Sequence, residues 1–234
     1  MRYRSKRYRE ALKTFDPIKS YELPEAVKLV KGFSVAKYDE TVELSFQLGI
    51  RPEQANEAVR GTAALPHGSG KKIRVLCFAK GEAQRAAESA GADFVGAEEY
   101  IKKIEGGWLD FDAVVAHPDL MRDISKLGKV LGPRGLMPTP KTGTVTPDVA
   151  KAIKEIKAGR VEFKSDKTGG LHVICGKKSF SQEALVQNVT SVINAVSIAK
   201  PSAAKGDYMK RVHLSASHSP GIKLHVVMAK ASEE

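Results

Sequence analysis

The chain has 234 residues, a length that allows either one large domain or two smaller ones. Its 38 lysines and arginines outnumber 27 aspartates and glutamates, so the formal net charge is +11. This excess favours a polyanionic partner such as nucleic acid; a solvated basic surface is the alternative. No apolar run is long enough to span a membrane, and the N-terminus lacks the apolar core of a secretory signal. Cys77 and Cys175 lie far apart in apolar runs, which disfavours a disulfide framework, so we expect a soluble protein of the reduced cytosol.

The first predicted element is a basic helix within residues 1–14. Tyr3 and Tyr8 interleave there with several cations, and Glu10 is the only acid of the segment. We expect one side of this helix to face phosphate; a solvated terminal helix is the alternative. The cations that we single out here as auxiliary nucleic-acid contacts are Arg2, Arg4 and Arg7.

A helix, a strand and a hinge are predicted next. Apolar residues at helical spacing over 22–32 indicate a helix that ends at Gly32. Residues 41–50 alternate between apolar and polar side chains, which is typical of a strand with one solvated face. The small residues of 67–71, HGSGK, indicate a hinge. A phosphate-binding loop has a similar composition, but it follows a strand, whereas these glycines precede one.

Residues 72–159 have the pattern of a parallel sheet. Apolar segments at 73–79, 92–96 and 111–118 predict strands, and helices are expected at 82–89, 98–104 and 147–159. Continuous apolar strands that alternate with helices indicate a sheet covered on both faces.

A loop rich in glycine and proline interrupts this pattern at residues 128–145, GKVLGPRGLMPTPKTGTV. It carries Arg134 and Lys141 and contains no acid. Glycine allows close backbone approach and unpaired cations favour a polyanion, so we expect a basic loop at a tip of the domain. In the alternative, Leu131, Leu136 and Met137 pin the loop to the sheet and the cations are merely solvated.

Alternating segments return after Gly159. We expect a hairpin of 161–164 and 171–174, an amphipathic helix over 182–199, and strands at 209–215 and 222–228. The fold class is therefore α/β with two domains. A discontinuous α+β sandwich domain, residues 1–67 and 160–234, receives an inserted three-layer, doubly wound (Rossmann-like) parallel-sheet domain, residues 68–159. The larger excess of cations falls on the discontinuous domain.

The search for catalytic groups finds only weak candidates. The six histidines lack metal-ligand spacing, and no dinucleotide-binding fingerprint follows the first strand of the insert, so we expect no metal, cofactor or catalytic residue. His117, Pro118 and Asp119 follow a strand of the insert, where such folds often bind ligands. A nucleotide- or phosphometabolite-binding enzyme, with Arg134 or Lys141 as anion ligand, remains the rival hypothesis.

Several motifs resemble one family along nearly the whole chain. They are AKYDETVELSFQLGI, VRGTAALPHGSGKKIRV, GGWLDFDAVVAHPDLM, the 128–145 loop, VEFKSDKTGGLH and AKPSAAKGDYMKRVHLS. Together they resemble the L1 family of large-subunit ribosomal proteins, the RNA-binding proteins of the mobile side stalk. The resemblance implies a non-enzymatic, cytoplasmic, ribosome-associated protein, a monomer within the ribosome, that binds ribosomal RNA at the stalk base. It also implies that the insert faces exit-site transfer RNA, and that the protein represses the messenger RNA of its own operon.

The resemblance further implies an RNA site on the discontinuous domain. Lysines would supply charge, a tyrosine ring a flat surface, and hydroxyls contacts to ribose or backbone. Two departures from the family lie in its last loop, where His218 replaces a methionine and Ser219 a glycine; Tyr38 stands where phenylalanine is usual. The implied positions are Lys37, Tyr38, Asp166, Lys167, Thr168, Gly169, Ser215, Ser217, His218, Ser219 and Gly221.

Overall fold

The computed structural model describes residues 5–33, 36–51, 57–202, 204 and 206–226. The chain forms two compact units. Unit 1 comprises Met1–Gly70 and Val161–Glu234, and unit 2 comprises Lys71–Arg160. No helix within the described residues is long and apolar enough to cross a membrane.

The described residues form eight α-helices and nine β-strands, besides short 3-10 turns. In chain order the helices are α1 (Lys6–Lys13), α2 (Leu23–Gly32), α3 (Glu82–Ser89), α4 (Glu98–Glu105), α5 (Met121–Ile124), α6 (Gly128–Leu131), α7 (Val149–Lys157) and α8 (Gln182–Ile198). The strands are β1 (Thr41–Leu48), β2 (Arg60–Ala64), β3 (Val75–Phe78), β4 (Phe94–Gly96), β5 (Ala113–Ala116), β6 (Arg160–Lys164), β7 (Gly170–Lys177), β8 (Met209–Ala216) and β9 (Ile222–Lys223).

Unit 1 is built on an antiparallel sheet in the order β7-β1-β8-β9. Side chains alternate along β1, and Val42, Leu44 and Phe46 point into the core, where α2 and α8 cover one face of the sheet. Ser181 is the N-cap of α8, where its hydroxyl accepts the Ala184 N–H at 3.1 Å. Side chains on the other face, among them Ser45, Gln47 and His172, are half-buried or exposed, and we call this side of the sheet the open face.

The hairpin predicted over 161–174 is wrong. Strand β6 pairs with β2 in a separate two-stranded sheet, whereas β7 pairs with β1. The turn between them is still closed, because the Asp166 N–H donates to the Gly170 carbonyl at 2.8 Å. The two strands that flank this tight turn therefore belong to different sheets.

Unit 2 has the predicted doubly wound architecture, with a parallel sheet in the order β4-β3-β5. Alternate residues of the buried strands pack into two cores, one on each side of the sheet. Leu76 and Phe78 pack on the side of α4, α5 and α6, whereas Val75 and Cys77 pack on the side of α3 and α7. The three layers confirm the predicted fold class, in which an antiparallel and a parallel sheet belong to separate units.

Residues 128–145 are more ordered than their composition predicts. They contain α6 and a 3-10 turn at Pro140–Thr142, and Leu131 is fully buried in the core. Leu136 and Met137 pack against the same core, and Val145 pairs with Ala116 as an extra bridge beside β5. The alternative in which Leu131, Leu136 and Met137 pin the loop to the sheet is therefore correct for these apolar residues.

Candidate nucleic-acid interface

The loop at 36–40 presents two of the predicted site residues to solvent. It connects α2 to β1, and both Lys37 and Tyr38 are exposed, Tyr38 to 51%. The Tyr38 ring meets the His218 imidazole edge to face, with centroids 5.8 Å apart. An exposed aromatic pair next to a lysine is suited to stack a base and hold a neighbouring phosphate.

The loop at 216–221 lies against the start of β1. The Ser217 N–H donates to the Thr41 carbonyl at 3.1 Å, and the Ser217 hydroxyl accepts the Thr41 N–H at 3.2 Å. The Ser219 hydroxyl accepts the Ala216 N–H at 2.8 Å and closes the turn. No described non-glycine residue has a positive φ, so Ser219 fits this turn without backbone strain. Both hydroxyls shape the loop, and His218 is exposed at its tip.

The Asp166 carboxylate organises the turn at 165–170. Its Oδ1 accepts the Thr168 hydroxyl and N–H, each at 2.8 Å, and the Gly170 N–H at 2.7 Å. These donors, led by the Thr168 hydroxyl, lower the pKa of Asp166, with a small further effect of His172. Gly169 has a φ of +78°, which favours glycine. Lys167 is exposed to solvent in this turn, whereas the polar side chains of Asp166 and Thr168 hydrogen-bond each other.

The two loops and the turn lie at opposite ends of one strand. The Ser217 contacts are at Thr41, where β1 begins, whereas Gln47 donates from the far end to the Thr168 carbonyl at 3.0 Å. Six residues of strand span roughly 20 Å. A polyanion that runs along β1 from one end to the other would cross the open face of the sheet.

The open face adds residues that sequence reasoning missed. Ser45 on β1 lies between His172 of β7 and His213 of β8, and its hydroxyl is 3.0 Å from the His172 Nδ1. Lys223 of β9 is opposite His213 in the same row. Neighbouring rows contain Glu43 beside Ser215, and Gln47 beside Arg211. The polar alternation of β7 and β8 was the available signal, but only the register places these residues together.

Cations surround His213 on this face. Burial lowers the pKa of His213, and the neighbouring Arg211 and Lys223 lower it further. A phosphate placed here would be attracted to all three groups. We name the polar strip as loop 36–40, loop 216–221, turn 165–170, and the open-face residues Ser45, Glu43, Gln47, His172, Arg211, His213, Ser215 and Lys223. The polar strip contains every position implied by the family resemblance, and these positions are divided between the two ends of β1 and the face between them.

The auxiliary cations are not part of the polar strip. Arg2 and Arg4 lie outside the described residues. Arg7 is half-buried on α1, which Ala11 anchors to the unit 1 core. Arg134 and Lys141 are exposed in unit 2. Their loop is fastened at its base by the Arg160 guanidinium, which donates to the Thr142 carbonyl at 2.6 Å.

A crevice of about 500 Å³ opens at the carboxyl ends of β3 and β5, where doubly wound sheets bind ligands. Its lysine, Lys80, is 3.0 Å from Glu98, and its imidazole, His117, is 3.2 Å from Asp119. Neither Arg134 nor Lys141 lines it. Because both basic groups already face carboxylates, the crevice is poorly suited to the phosphorylated ligand of the rival hypothesis.

Other features that could support catalysis are equally weak. Within the described part of the chain, no group of three or more histidines, cysteines and acids is placed to hold a metal. Both cysteines are free and buried. Burial raises the pKa of each thiol to about 12, so neither is a thiolate nucleophile at neutral pH.

Comparison with known proteins identifies a family. The model of the "Ribosomal protein L1p/L10e family" matches residues 30–220, a range that includes all of unit 2, most of unit 1, and the whole polar strip except Gly221 and Lys223. The chain is also 53% identical over 221 residues to a protein of Kosmotoga olearia named "Large ribosomal subunit protein uL1". That similarity covers 94% of this chain and 96% of the relative.

Proposed function

The chain belongs to the ribosomal protein L1p/L10e family, and on that premise we propose that it binds large-subunit ribosomal RNA through the polar strip. It is a ribosome-associated protein with a structural role. The observation that carries the proposal is the placement of both loops at one end of β1 and of the turn at the other, with the open face between them.

The side chains of the polar strip divide into those offered to RNA and those that shape the surface. Lys37, Lys167, Arg211 and Lys223 supply positive charge for phosphates. Tyr38 and His218 offer ring faces and edges, which suit an unstacked base better than a duplex groove. The side chains that shape the surface form hydrogen bonds within the protein. They are the hydroxyls of Ser217, Ser219 and Thr168 and the carboxylate of Asp166.

The polar strip favours RNA with a folded, partly single-stranded shape. Its length of roughly 20 Å is set by β1, so the phosphates that it contacts must be held at matching positions along the RNA. A rigid sheet offers this spacing without further ordering of the protein. We therefore propose a shaped ribosomal RNA segment at the base of the mobile stalk as the ligand, with phosphate contacts setting register and exposed bases giving specificity.

Two further roles are part of the proposal. The exposed Arg134 and Lys141 of unit 2 would contact exit-site transfer RNA and assist its release. The same polar strip would bind the messenger RNA of the protein's own operon, because an RNA that copies the shape of the ribosomal site offers the same phosphates. Both roles rest on the family resemblance and on the exposed cations.

Sequencing of RNA crosslinked to the intact protein in cells tests this proposal. We expect reads concentrated in one segment of large-subunit ribosomal RNA, with a smaller peak in the messenger RNA of its own operon. A variant with Lys37→Ala and Lys167→Ala should lose both peaks, whereas Arg134→Ala with Lys141→Ala should keep them. Reads spread over unrelated RNAs, or peaks unaffected by the first variant, would contradict ribosomal RNA binding through the polar strip.

A further inference from the structure

A buried carboxylate joins the two loops that carry the aromatic pair of the polar strip. Glu40 is only 1% exposed. Its Oε1 accepts the Ala36 N–H at 3.0 Å, and its Oε2 accepts the His218 N–H at 3.1 Å. One side chain thus bonds to the residue before Lys37 and to the backbone of His218 itself.

A buried lysine balances the charge of this carboxylate. The Lys178 Nζ is 3.9 Å from the Glu40 Oε1, and its side chain is 7% exposed. The same Nζ donates to the Phe33 carbonyl at 2.8 Å, so Lys178 also ties down the end of α2. A carboxylate is expensive to bury without partners, and here the two bonds to loop N–H groups and the nearby lysine ammonium compensate for its burial.

We propose that Glu40 is a positioning residue that sets the spacing between loop 36–40 and loop 216–221 and so preforms the aromatic part of the RNA site. This inference rests on the proposed function and deepens it. The Tyr38 and His218 rings are held 5.8 Å apart although both are exposed. Glu40 itself contacts no RNA, because its carboxylate is buried beneath both loops.

Other contacts hold the surrounding structure without Glu40. Ser217 is bonded to Thr41 through both backbone and hydroxyl, and the Asp39 carboxylate accepts the Ser179 hydroxyl at 2.7 Å. Strand β1 keeps its pairing with β7 and β8. Loss of the Glu40 bonds should therefore loosen the two loop tips and leave the sheet intact, which raises the ordering cost of RNA binding.

Glu40→Gln and Lys178→Met separate positioning from stability. The glutamine keeps the shape, but its amide nitrogen faces one of the two N–H donors, so one loop loses its bond, and Lys178 loses its counter-charge. Lys178→Met removes the same ion pair but leaves both N–H bonds to Glu40. We expect both variants to melt at lower temperature. Only Glu40→Gln should weaken binding to a transcript of the stalk-base ribosomal RNA, by roughly tenfold, while Lys178→Met stays within about threefold of the unaltered protein.

Hydrogen exchange of the Ala36 and His218 amides supplies a second readout. Glu40→Gln should accelerate exchange at one or both amides while the amides of β1 stay protected. Binding of Glu40→Gln within threefold of the unaltered protein, or equal affinity losses in the two variants, would overturn the positioning role. Failure of the unaltered protein to bind the transcript would instead overturn the proposed function.

Discussion

Removal of the Lys167 charge tests the electrostatics of the polar strip quantitatively. Four of its side chains are lysines or arginines, namely Lys37, Lys167, Arg211 and Lys223. If each neutralises one phosphate, log K should change with log salt by about −0.7 to −0.9 per cation, so the slope should be about −2.8 to −3.6. Between 50 and 200 mM salt the affinity should then fall by about 50- to 150-fold.

Lys167→Ala should remove one phosphate contact and so make the slope of log K against log salt less steep. The expected slope is about −2.1 to −2.7, and the same salt increase should cost about 20- to 40-fold in affinity. Because the turn is held by Asp166 and Thr168, loss of the lysine side chain should leave its shape unchanged. Filter binding or fluorescence anisotropy with the stalk-base transcript, measured at four salt concentrations, gives the slope directly.

Lys28→Ala is the matched control. Lys28 is exposed on α2, which packs on the helix-covered side of the sheet, and its removal changes the net charge by the same amount. Its slope should equal that of the unaltered protein. If Lys167→Ala keeps both the affinity and the slope, or if Lys28→Ala flattens the slope equally, local phosphate contact at the turn is refuted.

Three further predictions concern the turn, the open face and unit 2. Asp166→Asn should retain an oxygen acceptor for the turn and bind the transcript at least as well as the unaltered protein, whereas Asp166→Ala should bind more weakly; the reverse order in anisotropy titrations would contradict the organising role. The pKa of His213 is lowered in the free protein, and a bound phosphate should raise it, so His213 should take up a proton on binding. Affinity should therefore increase as the pH is lowered from 7.5 to 6, and His213→Gln should flatten that increase. An identical pH profile for the variant would contradict phosphate contact at His213. Arg134→Ala with Lys141→Ala should preserve ribosomal RNA affinity but slow transfer RNA release in single-turnover ribosome assays, and an unaltered release rate would reduce the loop to a packed element of unit 2.

The parts of the fold predicted correctly are those with local signals. Strands β3 and β5 of unit 2 are buried on both faces, so each is a continuous apolar run that sequence alone reveals. The hairpin prediction was wrong because β6 pairs with β2, about 100 residues earlier. Strand β2, RGTAA, has no apolar alternation and was not predicted. The packed state of 128–145 was only an alternative, since glycine and proline content indicates an irregular backbone but not what the leucines contact.

For the candidate site, too, the sequence indicated residues in local motifs but not contacts between distant segments. Family resemblance indicated Lys37, Tyr38 and Lys167, which lie in recognisable motifs. Sequence reasoning missed His172 and His213, because they become neighbours of Ser45 only through the strand register. The role of Glu40 was equally invisible, since its partners are a residue four positions earlier and a backbone amide 178 positions later.

Mapping of crosslinks at single residues tests the central claim most directly. The intact protein bound to the stalk-base transcript is irradiated, digested and analysed by mass spectrometry. We predict nucleotide adducts at both ends of the polar strip and on the open face, at Tyr38, His218, His172 and Lys167, that disappear with excess unlabelled transcript. Adducts confined to residues 71–160, with none on the polar strip, would contradict the account.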